Sequence, residues 1–231
     1  MGTRLIVQVY AFTDRQTALA ALEAGVDHIG FVAGQYGQVH GELSFERARL
    51  IAQSLGARGR SIALTMATDV EEILRMAHAV QPDFVHLSTD LDAVDPHALR
   101  RLRDEWQGEI GLIKAIPVGG PESLELIEPF AEWSDYLLLD TKVEGLPGVG
   151  ATGRTHDWSV SRLIAARYPG KVLLAGGLGP DNVAEAIRTV LPAGVDSNTS
   201  TNVQGDPVTK DLGRIRAFVQ AARRTAGELD R

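Results

Sequence analysis

The chain has 231 residues, a formal net charge of −7 and no cysteine, and 44% of it is apolar. That acidic balance speaks against a nucleic-acid or anionic-membrane partner, since both select a cationic face. The missing cysteine excludes disulfides, thiolate metal ligands and a thiol nucleophile or base. No apolar run approaches the roughly 20 residues of a membrane span, and the short run in MGTRLIVQVY leads straight into the fold, so the expectation is a cytoplasmic protein.

Short apolar runs alternate with helical patterns along the chain. RLIVQVY (4–10) reads as the first strand. Side-chain alternation assigns Val7 and Val9 to its helix-facing side and Gln8 and Tyr10 to the opposite, interior side. A helix starts near Thr13 or Asp14, carries TALAALEAG and stops at Gly25. DHIGFVA (27–33) follows, then the loop AGQYGQVHGELS and the helix SFERARLIAQSLG, stopped at Gly56. RSIALTM (60–66) precedes a helix that Thr68 and Glu71 open in a capping-box pattern. DFVHLS (83–88) presents His86 and Ser88, and EIGLIKAI (109–116) presents Lys114, with Pro121 at the first turn of the helix after it. In DYLLLDT (135–141), Tyr136, Leu138 and Asp140 share a face. KVLLAGG (171–177) leads to a helix with Pro180 at its first turn and DNVAEAIRTVL in its body, and AGVDS (193–197) is the last strand.

Eight strand–helix units predict parallel strands with helical crossovers. Fitted into this length with no linker, they favour a (β/α)8 TIM barrel over an open doubly wound sheet, as a single domain over residues 1–231. The longest connection, residues 141–158, holds Gly145, Gly148, Gly150 and Gly153. A loop of that length in a compact domain suggests an active-site lid.

Catalytic groups of such barrels sit at the C-terminal ends of strands. Asp140 is a carboxylate directly after three leucines at a strand tip, which packing explains poorly. Tyr10 stands where the first strand runs out. Lys114 has three readings: a Schiff-base nucleophile, a charge that positions an anion, or an interior lysine with an acidic partner, the last two favoured. His86, between Val85 and Leu87, is a hydrogen-bonded interior histidine or a functional one. The histidines lack metal-ligand spacing, so no metal is expected. LLAGGLGPDN closes a strand with Gly176 and Gly177 before a helix N-terminus, and GVDSNTS adds Ser197, Asn198, Thr199 and Ser200 in the next unit. Two adjacent donor-rich loops there predict a phosphate site. GVGATG lacks a dinucleotide-binding unit, so no organic cofactor is expected. The expected partner is a phosphorylated small molecule, and the oligomeric state is not legible.

AFTDRQTALAALEAGVDHIGFV, LIKAI, LLLDT with GATGRTHDW, LLAGGLGPDNVAEAI, GVDSNTS and KDLGRIRAFVQAAR together resemble the phosphoribosylanthranilate isomerase family of tryptophan synthesis, in order and across essentially the whole chain. The resemblance implies a (β/α)8 enzyme that turns an aminoaldose phosphate into an aminoketose phosphate. It places the ring-opening acid at Asp140 and substrate contacts in the lid at Gly150, Thr152 and Gly153. The family's base is a cysteine in a Lys-x-Cys-Gly motif ending the first strand. Here that motif reads Gln8-Val9-Tyr10-Ala11, with Tyr10 at the cysteine position. The loop after the second strand lacks the family's arginine, LHG has become LST at Ser88, and VDVSSG has become VDSNTS.

The sequence therefore predicts a divergent isomerase or epimerase of a phosphorylated sugar or related small molecule. Asp140 serves as acid or base, Tyr10 as proton donor, and Gln8, His86, Ser88 and Lys114 as substrate contacts. Three alternatives stand beside it: phosphoribosylanthranilate isomerisation with a substitute base, a Schiff-base aldolase or lyase using Lys114, and a catalytically silent ligand-binding barrel.

Overall fold

The structure, a computed structural model, describes residues 4–120, 122–141 and 156–229. Strands β1 (Ile6–Val9), β2 (His28–Ala33), β4 (Arg60–Thr65), β5 (Phe84–Leu87), β6 (Gly111–Pro117), β7 (Tyr136–Asp140), β8 (Val172–Leu174) and β9 (Gly194–Ser197) pair in parallel. β1 also pairs with β2, which closes the eight into a barrel. The two-residue β3 (Glu42–Leu43) adds to β2 outside that circle, within a stretch the sequence suggests is loop. The helices are α1 (Arg15–Glu23), α2 (Phe45–Leu55), α3 (Val70–Val80), α4 (Pro96–Trp106), α5 (Ser123–Ala131), α6 (Trp158–Arg167), α7 (Val183–Val190) and α8 (Leu212–Leu229).

Each strand feeds two cores, as its alternation requires. Val7, Val9, Leu112, Ile116, Leu137 and Leu139 pack outward with the buried faces of the helices. Ile62, Ile113, Leu138, Leu173 and Tyr10 fill the inside. At the N-terminal end of the barrel, His28, Phe84 and Tyr136 form a ring cluster, with centroids 5.6 Å apart for His28–Phe84 and Phe84–Tyr136 and 6.1 Å for His28–Tyr136. This end is therefore plugged, and the opening lies at the C-terminal ends of the strands.

The helix signals need two corrections. α3 is capped by Asp69, whose carboxylate accepts the Glu72 N–H, and not by the Thr68–Glu71 box; the carboxylate one residue closer outcompetes the hydroxyl. α7 starts at Val183 behind Asn182, so Pro180 lies in the turn before the helix. Asp14 caps α1 as expected, accepting the Thr17 N–H. Pro121 and the lid positions Gly145, Gly148, Gly150, Thr152 and Gly153 lie outside the described residues.

Candidate active site

A cavity opens at the C-terminal mouth of the barrel, where Tyr10, His86, Ser88, Asp140, Asn198 and Thr199 all reach its wall, together with Asp196. The far wall is apolar: Val32 and Val39 from the β2 side, Leu64 and Met66 from the end of β4, and Pro207 and Val208 ahead of α8. His40 also reaches it, and no lysine or arginine does among the described residues.

Tyr10 points inward as alternation predicts and is buried. Its ring lies against the backbone of Gly30 on β2, where a Cβ would sit 2.3 Å from two ring carbons. That gap lets the phenol cross the interior to β5, where its hydroxyl shares a 2.9 Å hydrogen bond with His86 Nδ1. Burial, with the Asp196 charge behind it, pushes the phenol well above its ordinary value. Tyr10 therefore keeps its proton and is no general base at neutral pH. Burial and then the Lys114 charge push His86 down to about 3, which leaves a neutral imidazole.

Gln8 is fully buried one inward position below Tyr10. Its Oε1 accepts from His28 Nδ1 at 3.0 Å, and its amide nitrogen is buried without a hydrogen-bond partner. Its register partner on β9 is Asp196. Gln8 is thus part of the support beneath the site and does not reach the cavity wall.

Asp140 ends β7 with its side chain facing the cavity. Its Oδ1 accepts the Thr141 N–H at 2.7 Å. The Thr141 hydroxyl lies 3.4 Å from His156 Nδ1, and His156 Nε2 is 2.7 Å from the Ser161 hydroxyl on α6, so this corner of the site is anchored to a helix. Burial raises Asp140 far above the usual carboxylate range, against the Thr141 hydrogen bond. A carboxyl held partly protonated near neutrality suits a proton donor.

Asp196 is a second carboxylate in the cavity wall, one to which no sequence motif pointed. It shares the inward face of β9 with Gly194 and Asn198, and its Oδ1 is buried without a hydrogen-bond partner. Burial and the Asp140 charge raise it, against the Gln8 amide and the Lys210 charge. The signal was legible in GVDS, because alternation puts Asp196 inside once Gly194 is inside. Lys210 is buried behind Asn198, donating to the Asn198 carbonyl and Oδ1 at 3.1 Å each and to Asn202 Oδ1.

Lys114 corrects the sequence expectation. It lies on the face of β6 shared with Leu112 and Ile116, pointing toward the helices and away from the cavity. Its Nζ donates to the Thr89 carbonyl at 2.7 Å and sits 5.9 Å from the centre of the Phe130 ring. Burial lowers it to about 7, opposed by Asp90 and Asp92. A substrate in the barrel mouth does not meet this amine.

The two glycine- and hydroxyl-rich loops divide differently from expectation. Gly176 and Gly177 take positive φ (86° and 64°) and turn the chain after β8. Asn182 ties that turn together, accepting the Gly179 N–H at 2.8 Å and donating to the Gly177 carbonyl at 3.1 Å. Ser197 falls on the outward face of β9, and its hydroxyl donates to the Leu178 carbonyl at 2.7 Å, so it braces the two loops against each other. Asn198 and Thr199 reach the cavity, and Ser200 lies beside Gly179.

Among the described residues, no group of three or more His, Cys, Asp or Glu side chains is arranged to hold a metal, and no helix is long and apolar enough to cross a membrane.

Residues 7–221 match the family model described as N-(5'-phosphoribosyl)anthranilate (PRA) isomerase. An enzyme of that name from Haloferax volcanii is 35% identical over 97% of this chain and 96% of its own length. Its namesake from Rubrobacter xylanophilus is 35% identical over 94% and 98%. The crystal structure of the Thermotoga maritima phosphoribosyl anthranilate isomerase superposes with a TM-score of 0.77 at 28% identity, covering 95% of this chain and 98% of that one. A further isomerase structure, in complex with reduced 1-(o-carboxyphenylamino)-1-deoxyribulose 5-phosphate, gives 0.75 at 26% identity over the same shares.

Proposed function

We propose, from the premise that this chain belongs to the N-(5'-phosphoribosyl)anthranilate isomerase family, that it rearranges an N-substituted aminoaldose phosphate into the aminoketose phosphate. The observation that carries the reading is the cavity itself: a buried carboxylate, Asp196, and a half-buried one, Asp140, face an apolar wall. Opening a furanose ring and moving a proton between C2 and C1 needs a donor and an acceptor at adjacent carbons, and carboxyls held above their usual range serve both roles near neutral pH. Asp140 is the donor to the ring oxygen. The wall of Val32, Val39, Leu64 and Met66 suits an aromatic substituent on the nitrogen.

The phosphate is assigned to the loops after β8 and β9, where Asn198 and Thr199 reach the cavity and Ser200 lies beside Gly179. The relative solved with a 5-phosphate compound supports a phosphorylated ligand. Ser88 and the neutral Tyr10–His86 pair are the remaining polar contacts, with Tyr10 a hydrogen-bond donor or fixed support. The aldolase alternative is set aside, since the Lys114 amine is held at the Thr89 carbonyl away from the cavity. A silent barrel has no use for two desolvated carboxylates.

The test follows the loss of phosphoribosylanthranilate fluorescence. Turnover that drops by about 10²-fold or more in Asp140→Asn establishes the reaction with this substrate. The second reading, a different N-substituent on the same kind of sugar phosphate, is favoured by the lack of any lysine or arginine among the described residues of the wall. Absent turnover with phosphoribosylanthranilate, but activity on an analogue bearing an uncharged aryl amine, selects it.

A further inference from the structure

We propose that Asp196 is the catalytic base and that Lys210 is the positioning residue that keeps its carboxylate ionised. The assignment rests on the isomerase reading above and answers what replaces the side chain at Tyr10. Tyr10 is unsuitable by geometry: its ring is drawn down over Gly30 and its hydroxyl is committed to His86. That withdrawal leaves the β1–β9 side of the cavity to Asp196. This carboxylate reaches the cavity wall and has a buried oxygen with no hydrogen-bond partner, which is what a group waiting for a substrate proton presents.

Four groups act on Asp196. Asp140 repels its charge from the β7 side, Tyr10 stands above it on β1 as a neutral phenol, and the Gln8 amide is its register partner. Lys210 is the fourth and the only cation among them. The three oxygens that hold its ammonium, from Asn198 and Asn202, are all uncharged. A buried cation bound only by neutral oxygens needs a counter-charge nearby: burial pulls Lys210 down to about 7, and Asp196 is the carboxylate that opposes that fall. Two neighbouring carboxylates cannot both ionise easily, so they share a proton. The Lys210 cation biases that proton toward Asp140, against the deeper burial of Asp196, which pulls it the other way.

The proton ledger then closes without any further reactant. Asp140 gives its proton to the ring oxygen, the C1–O bond breaks, and the nitrogen lone pair forms C1=N. Asp196 takes the C2 proton; the C–H pair forms C1=C2 and the C1=N pair returns to nitrogen. The C2 hydroxyl proton passes to Asp140 as C2=O forms, and C1 takes the proton from Asp196. Both carboxyls end as they began.

The experiment uses the full-length protein and phosphoribosylanthranilate. Asp196→Asn is expected to lower kcat by about 10²–10⁴-fold with an unchanged melting profile at acid pH; kcat within threefold of wild type overturns the base. In Lys210→Met, the acidic limb of the kcat/KM–pH profile is expected to move up by about one pH unit, because the lost cation no longer favours the carboxylate. Lys210→Arg should restore it. A limb that does not move overturns Lys210 as the positioning residue. If the wild type does not turn this substrate over, the function reading fails and a carboxyl ¹³C NMR titration decides the present one separately. The Asp196 signal, assigned by its loss in Asp196→Asn, should titrate at lower pH in Asp140→Asn and at higher pH in Lys210→Met. A midpoint indifferent to both substitutions overturns the proposal.

Discussion

Tyr10 stands at the end of the first strand, and its surroundings explain how a bulky ring is accommodated inside the barrel. A β2 glycine supplies the space and a β5 histidine supplies the partner. Removing the hydroxyl in Tyr10→Phe leaves His86 Nδ1 buried and unpaired, which costs about 1–3 kcal/mol. For a chain of this length that lowers Tm by several degrees. If the phenol is support and not base, kcat falls by less than about tenfold, far short of the effect expected for Asp196→Asn. Thermal unfolding and steady-state kinetics on the same preparation separate the two roles. Gly30→Ala tests the same packing from the other side. Its methyl would collide with the ring, so it should destabilise by about 1–3 kcal/mol. In the double variant Gly30→Ala/Tyr10→Phe the ring still collides, so the loss should persist. The inward position of Tyr10 was legible from alternation alone. Its partner was not, because a contact between residues 10 and 86 depends on barrel closure.

At the scale of elements, a single device recurs at the N-terminal end of the barrel. Asp27, Asp83 and Asp135 each stand just before an inward-facing ring, at β2, β5 and β7. Each reaches back to the preceding barrel strand: Asp27 to the Val7 N–H at 2.8 Å, Asp83 to the Ser61 N–H at 2.8 Å, Asp135 to the Leu112 N–H at 2.7 Å. Each also holds an arginine, Asp83 through Arg60 at 2.8 Å and Asp135 through Arg103 at 2.6 Å, while Arg223 of α8 bonds Asp27 and so ties the last helix to the first strand. Before β9 the corresponding residue is Ala193, which has main-chain bonds to Val172 and Ile6 but no side chain to clasp a neighbour. The sequence showed where these strands begin but not that their first residues clasp a neighbour, since the acceptor's partner lies some 20 residues earlier. The same limit hid the outward turn of Lys114: a positive charge inside an apolar strand reads as an inward substrate contact until the register is known. For the clasp, Asp83→Ala removes bonds to a main-chain N–H, a hydroxyl and an arginine. The expected loss is roughly 1–2 kcal/mol, at the low end because the side chain is partly exposed. Hydrogen bonds to Ser61 and Arg60 outweigh burial and hold Asp83 below its ordinary value. Its contribution is thus present above the unfolded carboxylate pKa of about 3.9 and lost as pH falls through the lower folded value. The Tm gap between wild type and variant should close in acid; a gap constant from pH 7 to 3 rejects the clasp.

Over the whole molecule, the site and the fold pull against each other. The clasps, the ring plug and the outer core all stabilise the barrel, whereas its mouth holds one buried and one half-buried carboxylate and a buried lysine bound only by neutral oxygens. Burial raises both Asp140 and Asp196 in the folded state. The unfolded chain therefore releases these protons first as pH rises from about 4. Between that value and the raised folded values the folded protein holds more protons, so stability declines with rising pH and the full penalty is present above them. This sign is opposite to that of Asp83. Neutralising Asp140 removes an unfavourable charge, and Asp140→Asn should raise stability at pH 8 by on the order of 2 kcal/mol, whereas Asp196→Asn would also take the counter-charge from Lys210 and forfeit that gain. At pH 4, where the wild-type carboxyls are already protonated when folded, Asp140→Asn should melt with the wild type. An inactive variant that is also more stable at alkaline pH identifies its carboxylate as retained for chemistry and not for folding. A variant that is less stable at both pH values would mean that the carboxylate supports the barrel, and the catalytic assignment at that position would fall with it.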